Sequence, residues 1–307
     1  MKVIVTTTIN PPTKALMKFL SFKNFDYVIV VGDLITPHSA YEELSVQHNN
    51  LIYLSPEFQE KEYKILSEAI GWRCIQRRSI GFVHAYKMGA EIVASVDDDN
   101  IPYENWAKDC YVNTEIEVEL FSNTDCNAFD PLSATNHDNL WHRGYPLEYT
   151  QVKNKLKNHG NTKRRVLVQA NLWDGDPDID AIQRLALYPE CKFEKNNYYA
   201  SNQISPFNSQ NTLVSRSVLP WYMMLPFVGR MDDIWASYLV QREFPESVVY
   251  GPATVYQDRN EQNLIQNLKD EILGYENNLK IFDEPSIIES LLPSKSVNAL
   301  RVYQDLF

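Results

Sequence analysis

Glu91-Ile92-Val93-Ala94-Ser95-Val96 runs directly into Asp97-Asp98-Asp99-Asn100. The first part is an apolar, partly β-branched run bounded by polar residues, the pattern of a buried strand. The three carboxylates then stand where that strand leaves its sheet. Acids this close repel one another wherever water is scarce, so they require a compensating cation, either Arg or Lys or a divalent metal. Oxygen ligands favour Mg or Mn. A solvated turn accounts for the same residues, because Asp and Asn are turn formers and Pro102 follows shortly. The flank shifts the balance. Arg77-Arg78-Ser79-Ile80-Gly81 opens a segment in which Ile80, Val83 and Met88 recur at helical spacing around His84, ending at Met88-Gly89-Ala90. A helix with an Arg pair at its start, then a strand, then carboxylates, offers an anion site beside a metal site.

Toward the N-terminus, Val3-Ile4-Val5 predicts a first strand ending in Thr6-Thr7-Thr8-Ile9-Asn10-Pro11-Pro12, followed by a short helix over Ala15 to Leu20. Tyr27-Val28-Ile29-Val30-Val31 predicts a second strand, ending in Gly32-Asp33. Leu51-Ile52-Tyr53-Leu54 predicts a third, before a polar helix from about Glu57 to Ile70. Strands alternating with helices, polar at each strand's C-terminal end, indicate an open parallel sheet with its ligand crevice along those ends. Thr6, Thr7, Asp33 and Asp97 to Asp99 are therefore expected on one edge. Asp33 stands where a ribose-binding acid would sit in a nucleotide fold, although a turn cap explains it as well. Gly-x-Gly-x-x-Gly and the P-loop pattern are both absent, which disfavours dinucleotide and P-loop chemistry.

Toward the C-terminus, Thr114 to Leu120 alternates as a half-exposed strand does, Phe121 to Leu140 reads as loop, and Lys153 to Arg165 reads as a basic, solvated face. Arg165 to Ala170 predicts a strand that leads into Asn171-Leu172-Trp173-Asp174-Gly175-Asp176-Pro177-Asp178-Ile179-Asp180. Asp178 is expected to cap the helix that follows. Asn171 and Trp173 have no capping role, which leaves them as candidates for binding. Asn211 to Ser215 predicts another strand. Gly229-Arg230-Met231 then precedes Asp232-Asp233 and a helix carrying Trp235, Tyr238 and Leu239. One acid would serve as a helix-terminal charge, and two exceed that need. Val248 to Tyr256 predicts a last strand, and Leu264, Leu268, Ile272, Tyr275 and Leu279 define a long amphipathic helix packed back on the core.

A chain of 307 residues suffices for one large α/β domain, or for a domain with an appendage. Its formal net charge of −11 argues against a nucleic-acid partner, which binds through Lys and Arg. The 18 Tyr, 13 Phe and 6 Trp suit an aromatic-lined cleft, and a large core uses them equally well. Cys74, Cys110, Cys126 and Cys191 form no Cys-x-x-Cys pair, so a zinc or redox motif is not expected and a cytoplasmic setting is. No apolar run reaches about 18 residues, and Met1 to Thr6 lacks a signal-peptide core. No integral membrane segment is expected; peripheral membrane association stays open.

Several ordered segments carry a resemblance. Val31-Gly32-Asp33 with Thr36-Pro37, Ile80-Gly81 through Asp97-Asp98-Asp99-Asn100, Gly175 through Ala181, Pro206 through Thr212, and Gly229-Arg230 through Asp233-Ile234-Trp235 together resemble the STELLO glycosyltransferase family. More distantly they resemble the reversibly glycosylated polypeptides. The likeness spans roughly residues 27 to 260. It implies an α/β fold of the GT-A type, a mostly parallel open sheet flanked by helices with a C-terminal helical extension. Residues 1–260 would form the nucleotide-sugar-binding and catalytic domain and residues 261–307 the extension. It implies a nucleotide-sugar donor, a UDP-sugar, and a saccharide acceptor. Under it, Asp97 and Asp99 hold Mn or Mg, while Thr6, Thr7, Asp33, Arg77, Arg78, Asp97 and Asp98 contact the donor. Asn171 and Trp173 meet the acceptor, and Asp233 or Asp232 is the general base of an inverting transfer. The third metal ligand falls in Tyr256-Gln257-Asp258-Arg259, which has no His.

Rival readings separate on simple grounds. A metal-dependent phosphohydrolase normally carries its Asp pair on the opening strand, or needs an Asp-x-His and a further Asp after Gly32-Asp33 that Leu34-Ile35-Thr36 does not provide. A non-catalytic nucleotide-sugar-binding scaffold has no need of Asp232-Asp233. A nucleotide-sugar mutase would act on donor alone.

Overall fold

The computed structural model describes residues 1–194, 197–259 and 262–307. The expected division between residues 260 and 261 therefore lies outside the described residues. The N-terminal half alternates β1 (Lys2–Thr8), β2 (Tyr27–Gly32), β3 (Leu51–Leu54) and β4 (Ile92–Val96) with helices, and these four strands pair in parallel in the order β3-β2-β1-β4. A short β5 (Asn100–Pro102) follows at once. The chain then builds β6 (Glu115–Asn123), β7 (Leu156–Arg165), β8 (Val168–Asn171), β9 (Asp174–Gly175), β10 (Tyr199–Ser201), β11 (Asn211–Ser215), β12 (Val248–Gly251) and β13 (Val255–Gln257). Among the described residues the large sheet has ten strands, continuing from β4 through β11-β8-β12-β10-β6-β7. Most of its strands point one way; β11 runs antiparallel to both β4 and β8.

Alternation along β1 shows how the sheet divides the core. Val3 and Val5 face one layer with Ile29, Val31 and Val93, while Ile4 faces the other with Val28, Val30 and Ala94. The first layer holds the helices Arg78–Lys87 and Asp232–Glu243, together with Ile281, Phe282, Leu300 and Tyr303 from the C-terminal helices Leu264–Asp283 and Ser294–Gln304. The expected C-terminal helix thus packs back on the core. No helix is long and apolar enough to cross a membrane among the described residues.

Four local expectations differ from the structure. The helix over Glu57 to Ile70 is two, Pro56–Glu62 and Lys64–Ile70, joined at Tyr63. The basic Lys153 to Arg165 segment is mostly exposed, as expected of a solvated face, but it was given no strand and is largely the edge strand β7. The single strand over Val248 to Tyr256 breaks after Gly251, because Pro252 has no N–H for a ladder. That break lets β13 leave the large sheet and join a small one in the order β5-β13-β9, which sets Gln257 opposite both Asn100 and Gly175. Finally, Asp180 caps the Ala181–Leu187 helix through Gln183 N (2.9 Å); Asp178 does not.

Candidate functional site

A cleft of about 460 Å³ opens at the C-terminal ends of the parallel strands. Its walls include Asp97 and Asp99 after β4, Ser209 and Gln210 before β11, Gln257 at the end of β13 with Arg259 after it, Gly229, Arg230, Asp232 and Asp233 around the start of the Asp232–Glu243 helix, and the segment from Arg73 to Gln76. Because β11 runs against β4, its N-terminal end reaches the edge where β4 ends. The small sheet brings the β13 end to the same place, and Asp258 N donates to the Asp99 carbonyl at 3.2 Å.

Beneath the cleft lies a buried ion network. Arg143 pairs with two carboxylates: Nε and Nη2 meet Asp178 at 3.0 and 2.9 Å, and Nη1 and Nη2 meet Asp233 at 3.0 and 3.3 Å. Burial works against a charged Arg143, but Asp178 and Asp233 outweigh it and hold its pKa well above the ordinary value. Burial likewise works against ionised Asp178, and Arg143 reverses this, holding Asp178 well below the usual carboxylate range. Asn208 Nδ2 donates to Asp178 at 3.0 Å, and the Ser209 N–H and hydroxyl donate to Asp233 Oδ2 at 2.9 and 3.1 Å. Both oxygens of Asp233 are thereby engaged.

Asp232 has a different environment. It accepts from Gln76 Nε2 at 2.9 Å, and burial, reinforced by the Asp233 charge, raises its pKa to about 7. Neither acid caps the helix by a side-chain hydrogen bond; both stand in its first turn, where the helix dipole favours negative charge. Two close approaches fix that turn. A Cβ on Gly229, whose φ is +60°, would lie 2.0 Å from the Asp270 carbonyl oxygen, and one on Gly274 would lie 2.5 Å from Met231 Sδ. Glu271 adds a polar tie, accepting from Arg230 Nε (2.8 Å), Ala181 N (2.8 Å) and Tyr275 Oη (2.6 Å).

The strand-end acids point in different directions. Asp97 Oδ1 meets the buried Arg78 Nη2 at 2.5 Å. Arg78 is anchored by Ser209 (carbonyl and hydroxyl, both 3.0 Å), and Asp97 more than offsets the burial that would lower its pKa. Asp98 turns away to Thr8 Oγ1 and Asn10 Nδ2 (3.0 Å). Asp99 is raised to about 7 by burial and then by Asp97, and its Oδ1 is buried with no hydrogen-bond partner. Gln257 Oε1, Gln210 Oε1 and Asn100 Oδ1 are likewise buried and partnerless. These are oxygen donors, and oxygen donors suit a hard divalent cation. Among the described residues no three His, Cys, Asp or Glu side chains gather to hold a metal. Two carboxylates still fit a cation such as Mg, which retains water and takes further oxygens from phosphates.

Of the residues singled out in the sequence, the cleft collects Asp97, Asp99, Asp232 and Asp233, with Arg78 buried behind Asp97. Gln257 and Arg259, from the segment expected to supply a third metal ligand, also line it, whereas Thr6, Thr7, Asp33, Arg77, Asp98, Asn171 and Trp173 do not. Arg77 turns toward Gln59 Oε1 (2.9 Å) and Gly71 O (3.0 Å) and stacks on Trp72. Asp33 is buried and holds Cys74 N at 3.0 Å, securing the segment that carries Gln76. Thr7 Oγ1 donates to Val31 O at 2.8 Å, and Thr6 is buried in β1 beside it. Asn171 accepts from Gln169 Nε2 at 3.1 Å, and Trp173 is buried against the rings of His142 and Phe193. Arg143 was not legible as a site residue, since it lies beyond a loop-like stretch with no periodicity. Its only sequence trace is that the acids of residues 178 and 233 needed a buried cation.

No protein-family model and no curated protein matches the sequence. Two solved structures of glucosyl-3-phosphoglycerate synthase from Mycobacterium tuberculosis are similar in fold. The one in complex with phosphoglyceric acid is 11% identical, with 91% of this chain and 79% of that chain covered and a TM-score of 0.46. The other is 12% identical, with 91% and 80% covered and a TM-score of 0.48.

Proposed function

We propose that the chain is a metal-assisted glycosyltransferase of the GT-A type that moves a sugar from a UDP-sugar to a saccharide hydroxyl with inversion. The observation that carries this reading is the pairing, in one cleft, of Asp99 with an unpartnered buried oxygen and Asp232 with a pKa near 7. The resemblance of its ordered segments to the STELLO family supports it. Asp97 and Asp99 would hold Mg or Mn, which when bound supplies positive charge to a departing diphosphate. Asp232 accepts the proton of the acceptor hydroxyl as that oxygen bonds to the anomeric carbon. The bond from that carbon to the diphosphate oxygen breaks, and its electron pair leaves with the nucleoside diphosphate. Arg143 and Ser209 fix Asp233, and so the first helical turn, which aims Asp232 at the cleft.

The test is a thermal-shift panel of UDP, GDP and CDP with and without Mn. UDP with Mn is expected to raise the melting temperature most. A panel in which no nucleotide stabilises the protein would sink the reading. Incubation with donor alone separates transfer from a mutase, since a transferase leaves the sugar ring form unchanged.

A further inference from the structure

Arg259 is an anomaly in this cleft. Its side chain is only 6% exposed, it lines the cavity, and neither Nε nor Nη2 has a hydrogen-bond partner. A buried guanidinium is ordinarily paired and hydrogen-bonded, because stripping its water is costly unless the protein replaces it. The carboxylates nearest to it are shared with other cations and stand beyond hydrogen-bond geometry. Asp176 Oδ2 lies 3.5 Å from Arg259 Nε, with Asp176 Oδ1 bonded to Arg184, and Asp178 Oδ1 lies 3.9 Å from Nη2 and accepts from Arg143 Nε at 3.0 Å. Arg230 approaches the same Asp178 oxygen, Oδ1, to 3.9 Å with its own Nη2, while its Nε is spent on Glu271. Two guanidinium groups therefore converge on one oxygen that Arg143 already holds, and Arg259 keeps two buried donors without a hydrogen-bond partner.

We propose that Arg259 and Arg230 form an oxyanion site that takes a phosphate or carboxylate group of a substrate. Planar guanidinium forks match such groups bidentately, and an incoming oxyanion would satisfy the donors that the protein leaves unpaired. The site follows the Asp258 N–H bond to the Asp99 carbonyl, so the anion would sit beside the strand-end acids and within the same cleft as Asp232. Its assignment to a substrate rests on the transferase reading. The oxyanion itself could come from the donor's diphosphate or from an anionic group on the acceptor.

Calorimetric titration and thermal shift with inorganic phosphate, UMP and UDP test the site in the wild type, Arg259→Gln and Arg230→Gln. Phosphate is expected to stabilise the wild type and to bind Arg259→Gln about tenfold more weakly or worse, in line with the loss of a charge-assisted pair. The ligand-free melting temperature of Arg259→Gln should hold or rise, because two buried donors without hydrogen-bond partners have gone while Asp176 and Asp178 keep Arg184 and Arg143. A reduced preference for UDP over UMP in the variant assigns the oxyanion to the donor. Phosphate protection of UDP-saturated wild type, lost in the variant, assigns it to the acceptor. Equal phosphate affinity in the wild type and Arg259→Gln overturns the site. Should that variant not fold, unchanged affinity in Arg230→Gln does so. If UDP binds neither protein while phosphate binds only the wild type, the oxyanion site stands and the transferase reading falls.

Discussion

Asp232 and Asp233 are neighbours in sequence and share a helical turn, yet Asp233 accepts four hydrogen bonds and Asp232 one. Asp233 is bonded by Arg143 and Ser209 through both oxygens, whereas Asp232 has Gln76 and a pKa near 7. Turnover should therefore rise as pH passes about 7 and Asp232 ionises. Asp232→Asn should retain UDP affinity and lose roughly two to four orders of magnitude in rate. The same shift has a stability consequence of opposite sense. The folded state holds this proton more tightly than the unfolded chain, so stability is greatest below the ordinary carboxylate pKa, falls as pH rises toward 7, and is level above it. Asp232→Asn should accordingly melt higher than the wild type at pH 8, with little difference at pH 4; equal melting at pH 8 would discount the burial argument. Asp233→Asn should instead destabilise, by on the order of 3 kcal/mol, because it breaks a buried pair. Among the strand-end acids, Asp99→Asn should abolish the effect of Mn on UDP affinity and Asp98→Asn should leave it, since Asp98 faces Thr8 and Asn10. Calorimetry with and without Mn checks this. Three consecutive Asp residues announce a site in the sequence, but which of them faces the cleft is decided by the turn after β4.

Elements with a regular hydrophobic pattern were readable, and those shaped by their neighbours were not. β1 to β4, β11 and the Leu264–Asp283 helix follow from apolar runs or helical spacing, because burial on both faces or on one stripe leaves a direct trace. β7 left none: it is an edge strand whose residues are mostly exposed, so no alternation marks it and charge dominates its composition. The break between β12 and β13 was signalled by Pro252, but the departure of β13 to a second sheet was not. The Leu264–Asp283 helix belongs to the site through contacts no pattern shows, the approaches at Gly229 and Gly274 and the Glu271 bonds to Arg230 and Ala181. Gly274→Val places methyl groups where Met231 sits, and overpacking of this kind costs roughly 1 to 3 kcal/mol. Its expected signature is a lower melting temperature together with weakened turnover, since Met231 immediately precedes Asp232. Normal turnover in a correctly folded Gly274→Val protein would separate this helix from the chemistry.

At the level of the whole molecule, the α/β class and the edge where the candidate cleft opens were legible because strand ends and polar residues coincide along the first half of the chain. The convergence was not. Arg143 meets Asp178 and Asp233 across sequence separations of 35 and 90 residues, and only the folded sheet order makes them neighbours. That spread also sets a timetable for the protein's birth. During synthesis the chain emerges N-terminus first at roughly 5 to 20 residues per second. Arg143, Asp178 and Asp233 can find one another once the chain has emerged past residue 233, but Arg230 and Gly229 must wait for Glu271 and Asp270. Until then the turn bearing Asp232 lacks the helix that braces it, and Trp235 lacks Asn278, its partner at 2.9 Å. The nascent chain can thus close its buried ion network before the helix that brings Asp270 to the cleft wall has emerged.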